Sequence, residues 1–264
     1  MIVVFVSFPC PSMKSPASTV KIPDIKRKYH KAEEPERKKQ PRNLLSELGN
    51  CSKLPMTFPN ISKPHTFRLG ARHISRVDPK IRELVRRHGP IKFTVDDDPF
   101  ESLVEAIISQ QLSGQSARAI FGKLKALFQT EVIDAPALNK LTDSKLRKTG
   151  VSPQKIRYLR DLSSRVVHGQ LDLIPLRKKS DGEVIQILDE VKGIGPWTAQ
   201  MFLLFVLGRP DVLPVDDLGI QLAIQNVYSL RKLPKAERIE EIATDWHPYC
   251  SVASLYLWHA KKAQ

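Results

Sequence analysis

The chain has 264 residues, enough for one large domain or two small ones, and its 41% hydrophobic content supports a packed core. A net charge of +14 and a pI of about 9.7 favour a polyanionic partner such as nucleic acid. Cys10, Cys51 and Cys250 form no CxxC pair and no four-cysteine set, which argues against a zinc site or an iron–sulfur cluster and fits a reducing, intracellular setting.

Residues 1–64 carry +7 of the charge and are rich in Pro, Ser and Lys without sustained periodicity, so they read as a disordered basic tail. The opening MIVVFVSFPCPSM has no basic residue ahead of its apolar run and is too short to span a bilayer. No later segment reads as transmembrane, so no membrane partner is expected. Lys26-Arg27-Lys28 and Arg37-Lys38-Lys39, about ten residues apart, form a bipartite basic pattern that suits nuclear import or attraction to DNA. A solvated tail with no reader is the plain alternative.

From Arg68 onward the pattern is helical, and residues 65–264 are expected to form one all-α domain of eight to ten helices. Asp78-Pro79 is an N-cap followed by proline at the first helical position, and Gly89 ends that helix. Asp98-Pro99 opens the next, with an apolar stripe of Phe100, Leu103, Val104, Ile107 and Ile108. Ala117, Ile120, Phe121, Leu124, Leu127 and Phe128 mark another. Thr142 caps a short helix, and Ser152-Pro153 opens a longer one. Ser180 and Glu183 make a capping box ahead of Val184, Ile187, Leu188 and Val191.

The most informative stretch is Val191–Asp217, VKGIGPWTAQMFLLFVLGRPDVLPVDD. Gly193 and Gly195 permit positive φ and close backbone approach, and Ile194 between them can plug the turn into the core. Pro196 presets the first turn of the following helix, whose amides and dipole then face an anion. Lone GxG turns are mostly ordinary helix connections. Here, however, Thr198–Leu207 is apolar on nearly every face, so the turn is anchored on a buried helix. Asp216-Asp217 ends a stretch broken by Pro210 and Pro214, and Leu218, Ile220, Leu222 and Ile224 suggest a helix starting at the acid.

Four blocks together resemble the helix-hairpin-helix DNA glycosylases, and more narrowly the alkylation-repair 3-methyladenine DNA glycosylases. They are LDEVKGIGPWTAQMFLLFVLGRPDVLPVDDLGI, DPFESLVEAIISQQLSGQSARAI, VSPQKIRYLRDLS and SVASLYLWHA, in the family's order across residues 68–262. The resemblance implies two helical subdomains with the active site in the cleft between them, acting as a monomer on double-stranded DNA that contains damaged bases.

It also implies site residues. Asp217 matches the catalytic aspartate, and Asp216 is left as a cap or support. A negative charge at a helix N-terminus is stabilised by the dipole, and beside the sugar it opposes the positive charge that builds as an N-glycosidic bond breaks. DNA contacts fall on Gln110, Gln111, Ser113, Lys192, Gly193, Ile194, Gly195 and Thr198, with Gln111 as the wedge that fills the gap left by a flipped base. Phe100, Trp197, Met201 and Trp258 are the base-pocket candidates, with Tyr256 and Trp246 nearby in sequence. Aromatic faces attract a cationic alkylated purine.

Relatives that also cut the strand carry lysine where this chain has Trp197. Lacking that amine, the chain is expected to be a monofunctional glycosylase. No cofactor is expected to be required. A structural monovalent cation at the main-chain carbonyls of Asp189, Val191 and Ile194 is implied by the family and suits oxygen-only ligation. The sequence departs from many relatives at Met201, where some have tyrosine, and at Cys250, where many have arginine. Two alternatives compete: a non-catalytic helix-hairpin-helix DNA-binding module, and a bifunctional glycosylase-lyase.

Overall fold

The structure, a computed structural model, describes residues 58–262. Among these there is no strand. The helices are α1 (Pro64–Val77), α2 (Pro79–His88), α3 (Pro99–Ser109), α4 (Gly114–Lys125), α5 (Ala135–Lys140), α6 (Asp143–Lys148), α7 (Pro153–Val167), α8 (Asp181–Asp189), α9 (Pro196–Phe205), α10 (Leu218–Val227), α11 (Ala236–Ala243) and α12 (Cys250–Lys262). Twelve exceed the eight to ten expected: α5 is a six-residue helix too short to show an apolar period, whereas the equally short α6 is the one its Thr142 cap announced. The basic tail through residue 57 lies outside the described residues, as do both basic clusters.

The expected boundaries hold where capping chemistry is explicit. Asp78 accepts from the amides of Lys80 and Ile81, and Asp98 from those of Phe100 and Glu101. Ser180 and Glu183 close the reciprocal capping box. Asp78 does more than cap: its second oxygen accepts from Trp246 Nε1 at 2.9 Å and from the Tyr228 hydroxyl, tying α2 to the end of α10 and to the turn after α11. Trp246 is therefore a core residue rather than a pocket wall. Tyr256 is too, 1% exposed, with its hydroxyl donating to the Gly89 carbonyl.

The packed unit starts ahead of the boundary expected at residue 65. Ile61 is fully buried and its N–H donates to the Gly208 carbonyl at 2.9 Å. Asn60 Nδ2 donates to the Leu207 carbonyl at 3.1 Å, and its side chain fills the space where a Cβ on Gly208 would stand. The Phe58 ring covers the Arg209 guanidinium at 3.6 Å from its centroid. Arg209 is 2% exposed, with carbonyl acceptors at Arg177 and Lys179 and an ion pair to Asp181 Oδ1 at 3.1 Å.

The helices form two groups. α1, α2, α10 and α12 pack on one another, while α3 to α7 make a second set that α9 joins through α3. The α9 helix behaves as its sequence requires, with Thr198, Ala199 and Met201 through Phe205 all buried. An element apolar on every side can only be accommodated as a central one, and it gives the hairpin before it a rigid base.

Candidate active site

The hairpin between α8 and α9 is fixed from three directions. Ile194 is 2% exposed and plugs the core, as expected. Gly193 sits at φ +85°, and the Tyr158 ring occupies the position a Cβ there would take, so glycine is required twice over. The Gly193 carbonyl accepts from Gln110 Nε2 at 2.7 Å, and the Lys192 amide donates to Asp161 Oδ2 at 3.0 Å. Gly195 is different. Its φ is −103°, and a Cβ there would meet nothing within 4 Å, so the absence of a side chain serves open space. As the N-cap of α9 it supplies no side-chain acceptor to the first-turn amides, which leaves that helix end suited to an external anion.

Gln110 and Gln111 follow α3 with separate tasks. Gln110 is tied inward to the hairpin. Gln111 is exposed at φ +56°, a left-handed conformation that non-glycine residues seldom adopt. The turn is braced by Lys155, whose Nζ donates to the carbonyls of Ile108 and Gln110 at 2.6 Å each. Burial pulls the pKa of this lysine down. Ser113 is exposed, but its hydroxyl is committed to capping α4 at the Ser116 amide. Thr198 is 5% exposed, so only its backbone, not its side chain, can serve a phosphate.

Asp217 is half-buried and is itself the N-cap of α10. Its Oδ1 accepts from the Ile220 amide at 2.8 Å and from Trp258 Nε1 at 2.9 Å, and its Oδ2 accepts from Trp197 Nε1 at 3.2 Å. Three of roughly four lone-pair positions are thus filled, leaving about one on Oδ2. Trp197 comes from α9 and Trp258 from α12, so the carboxylate lies where the two helix groups meet. Gly219 makes room for this arrangement: a Cβ there would stand 2.8 Å from Asp217 Oδ1 and 3.1 Å from the Trp258 ring. Asp216 is exposed and does not cap the helix, so the capping role expected for it belongs to Asp217.

The pocket candidates separate. Trp197 and Trp258 are half-exposed at the acid, and Trp258 stacks on Phe205 at 5.9 Å between centroids. Phe100 and Met201 are each 1% exposed and belong to the core, which corrects their assignment to an open pocket. Both lie on faces their helices bury, a distinction apolar character alone does not reveal. The roles of Lys155, Tyr158 and Asp161 were not anticipated, although all three stand in the VSPQKIRYLRDLS block. Their partners are 31 to 47 residues away in sequence, beyond any local pattern.

Of the proposed cation ligands, the Asp189 carbonyl is the last of α8, where carbonyls lack intrahelical donors. The Val191 carbonyl accepts the Ile194 amide at 3.0 Å, leaving one further lone pair. Carbonyl oxygens are the kind of donor a hard cation takes.

Similarity to known proteins agrees with this geometry. DNA-3-methyladenine glycosylase 1 of Schizosaccharomyces pombe is 32% identical over 198 residues, covering 72% of this chain and 86% of that protein. The structure of a Schizosaccharomyces pombe 3-methyladenine DNA glycosylase in complex with abasic DNA superposes with a TM-score of 0.69 at 29% identity, covering 74% of this chain and 97% of that one. A DNA-3-methyladenine glycosidase from Bacillus halodurans gives 0.66 at 34% identity, covering 78% and 92%. Residues 104–248 match the HhH-GPD superfamily of base excision DNA repair proteins, and the chain belongs to that family.

Proposed function

We propose that the protein is a monofunctional DNA glycosylase that flips alkylated purines of the 3-methyladenine and 7-methylguanine type from duplex DNA and hydrolyses their N-glycosidic bonds. The observation that carries this reading is the Asp217 carboxylate, held by two indole N–H groups and a helix amide with about one lone-pair position left over. Fixed donors hold the acid in one orientation before substrate arrives, so little reorganisation is needed as charge develops.

The Gly195 turn and the start of α9 grip a phosphate, and Gln111 enters the vacated base stack. Asp217 then stabilises the oxocarbenium-like sugar and orients water on it. The alkylated base leaves readily because its own positive charge weakens the bond. Trp197 supplies no amine, and its edge is spent on Asp217, so no covalent sugar intermediate forms and the product is an abasic site. A monovalent cation at the carbonyls of Asp189, Val191 and Ile194 would brace the turn. The protein acts as a monomer in the nucleus, and the basic clusters in the tail serve import.

Methylated duplex DNA incubated with the protein releases free base, and strand breaks appear only after alkali. Asp217→Asn keeps the cap and the DNA affinity but loses most turnover. Unchanged release by that variant overturns the assignment. Deleting residues 26–39 removes nuclear accumulation of a fluorescent fusion.

A further inference from the structure

The loop after Pro210 and the start of α12 bring together three chemically different side chains that base excision does not use. His247 Nδ1 lies 2.8 Å from Asp211 Oδ2 and 3.5 Å from Cys250 Sγ. All three ligand atoms lie within 4.8 Å of one another. Asp211 Oδ1 separately accepts the Cys250 amide at 3.2 Å, so capping of α12 occupies only one of its oxygens. We propose that Asp211, His247 and Cys250 form a binding site for a zinc-type divalent cation that clamps the Pro210 loop to α12.

The geometry discriminates against a catalytic reading. In a nucleophilic Cys–His–acid arrangement, thiol and carboxylate approach opposite ring nitrogens, so that the imidazole passes a proton between them. Here both converge on Nδ1. One nitrogen holds at most one proton, which can bridge to only one neighbour, whereas a cation among the three engages a lone pair from each. Without an ion the buried thiol donates its own proton to the Asp211 carboxylate; when a cation binds, that proton leaves and sulfur, nitrogen and oxygen turn to the metal together.

The dimensions agree with zinc. Bonds of about 2.3 Å to sulfur and about 2.0–2.2 Å to nitrogen and oxygen place tetrahedral ligand atoms roughly 3.3–3.6 Å apart. The sulfur–nitrogen separation already has that value. The nitrogen–oxygen pair needs to open by about half an ångström, which the exposed His247 ring can supply by rotation. A mixed S, N, O donor set selects zinc and similar borderline-soft ions over magnesium or calcium, which take oxygen. His247 and part of Asp211 face solvent, giving the ion a route in and a water its fourth position, with Cys250 as the floor. Cysteine spacing does not announce such a site because only one cysteine takes part.

The test uses the full chain, dialysed against chelator and titrated with zinc chloride by calorimetry, and in parallel with cobalt chloride by absorption. One equivalent binds, and the cobalt adduct shows a thiolate-to-metal charge-transfer band. His247→Ala lowers zinc affinity by at least about tenfold, since even loss of a residue supporting a ligand costs that much. Cys250→Ser removes the band. Because Cys250 is buried and its variant can misfold, the half-exposed His247 decides. A double Cys10→Ser/Cys51→Ser variant keeps both binding and band. Absence of the band, unchanged affinity in His247→Ala, or loss of binding in the double variant overturns the proposal. None of these readouts depends on base release.

Discussion

Replacing either hairpin glycine by alanine removes the same hydrogen but should produce opposite effects. At Gly193, φ is +85°, and holding an alanine in the left-handed region costs about 1–2 kcal/mol. The new methyl would also stand 2.5 Å from Tyr158 Cγ, with Cδ2 closer still. The half-exposed ring must swing away and give up the bond its hydroxyl accepts from Gln154, an overpacking cost of about 1–3 kcal/mol. The total is about 2–5 kcal/mol. With a urea m-value of about 2 kcal/mol/M, the unfolding midpoint should fall by about 1–2.5 M with the slope unchanged. At Gly195 neither term applies, so Gly195→Ala should change stability by no more than about 1 kcal/mol, the difference between the two residues at an N-cap. It should nevertheless weaken DNA binding, because the methyl projects into the space the phosphate is to occupy. Paired urea melts and fluorescence-anisotropy titrations with duplex DNA measure both quantities. If Gly193→Ala melts within about 0.5 kcal/mol of the parent, the account of the turn is wrong. If Gly195→Ala binds DNA at parental affinity, the phosphate does not approach there.

Lys155→Met should cost about 1–2 kcal/mol, because it leaves two carbonyls at the end of α3 without their charged donor, and a thermal melt reads this. Arg209→Ala should cost about 3 kcal/mol, since it strands Asp181 and uncovers two carbonyls beneath Phe58; deletion of residues 1–60 removes part of the same packing and should be non-additive with it in a double-mutant cycle. Borohydride should fail to trap the protein on damaged DNA, and a covalent adduct would revive the lyase reading.

What could be read from the chain was chemistry confined to neighbours. Asp78-Pro79, Asp98-Pro99, Ser152-Pro153 and the Ser180–Glu183 box each act within one turn, and each fixed a helix start correctly. Asp217 stood out because a helix begins there, which the structure shows, and because its block resembles a known family. Features built from distant partners were invisible. Asn60 reaches Leu207 across 147 positions, so the first packed residues looked like tail. Asp161 reaches Lys192, and Gln110 reaches Gly193, only once α3, α7 and α9 are assembled. Phe100 and Met201 were misplaced for a related reason: an apolar side chain suits a ligand pocket and a sealed interior equally, and only the packing of neighbouring helices separates the two.

Asp217 anchors α10 with the same oxygen that Trp258 holds. Fraying of that helix end would therefore release the acid from its alignment while the rest of the molecule stayed folded. Heating should silence the enzyme before it melts, with the gap between the two temperatures set by how firmly one turn of one helix stays wound.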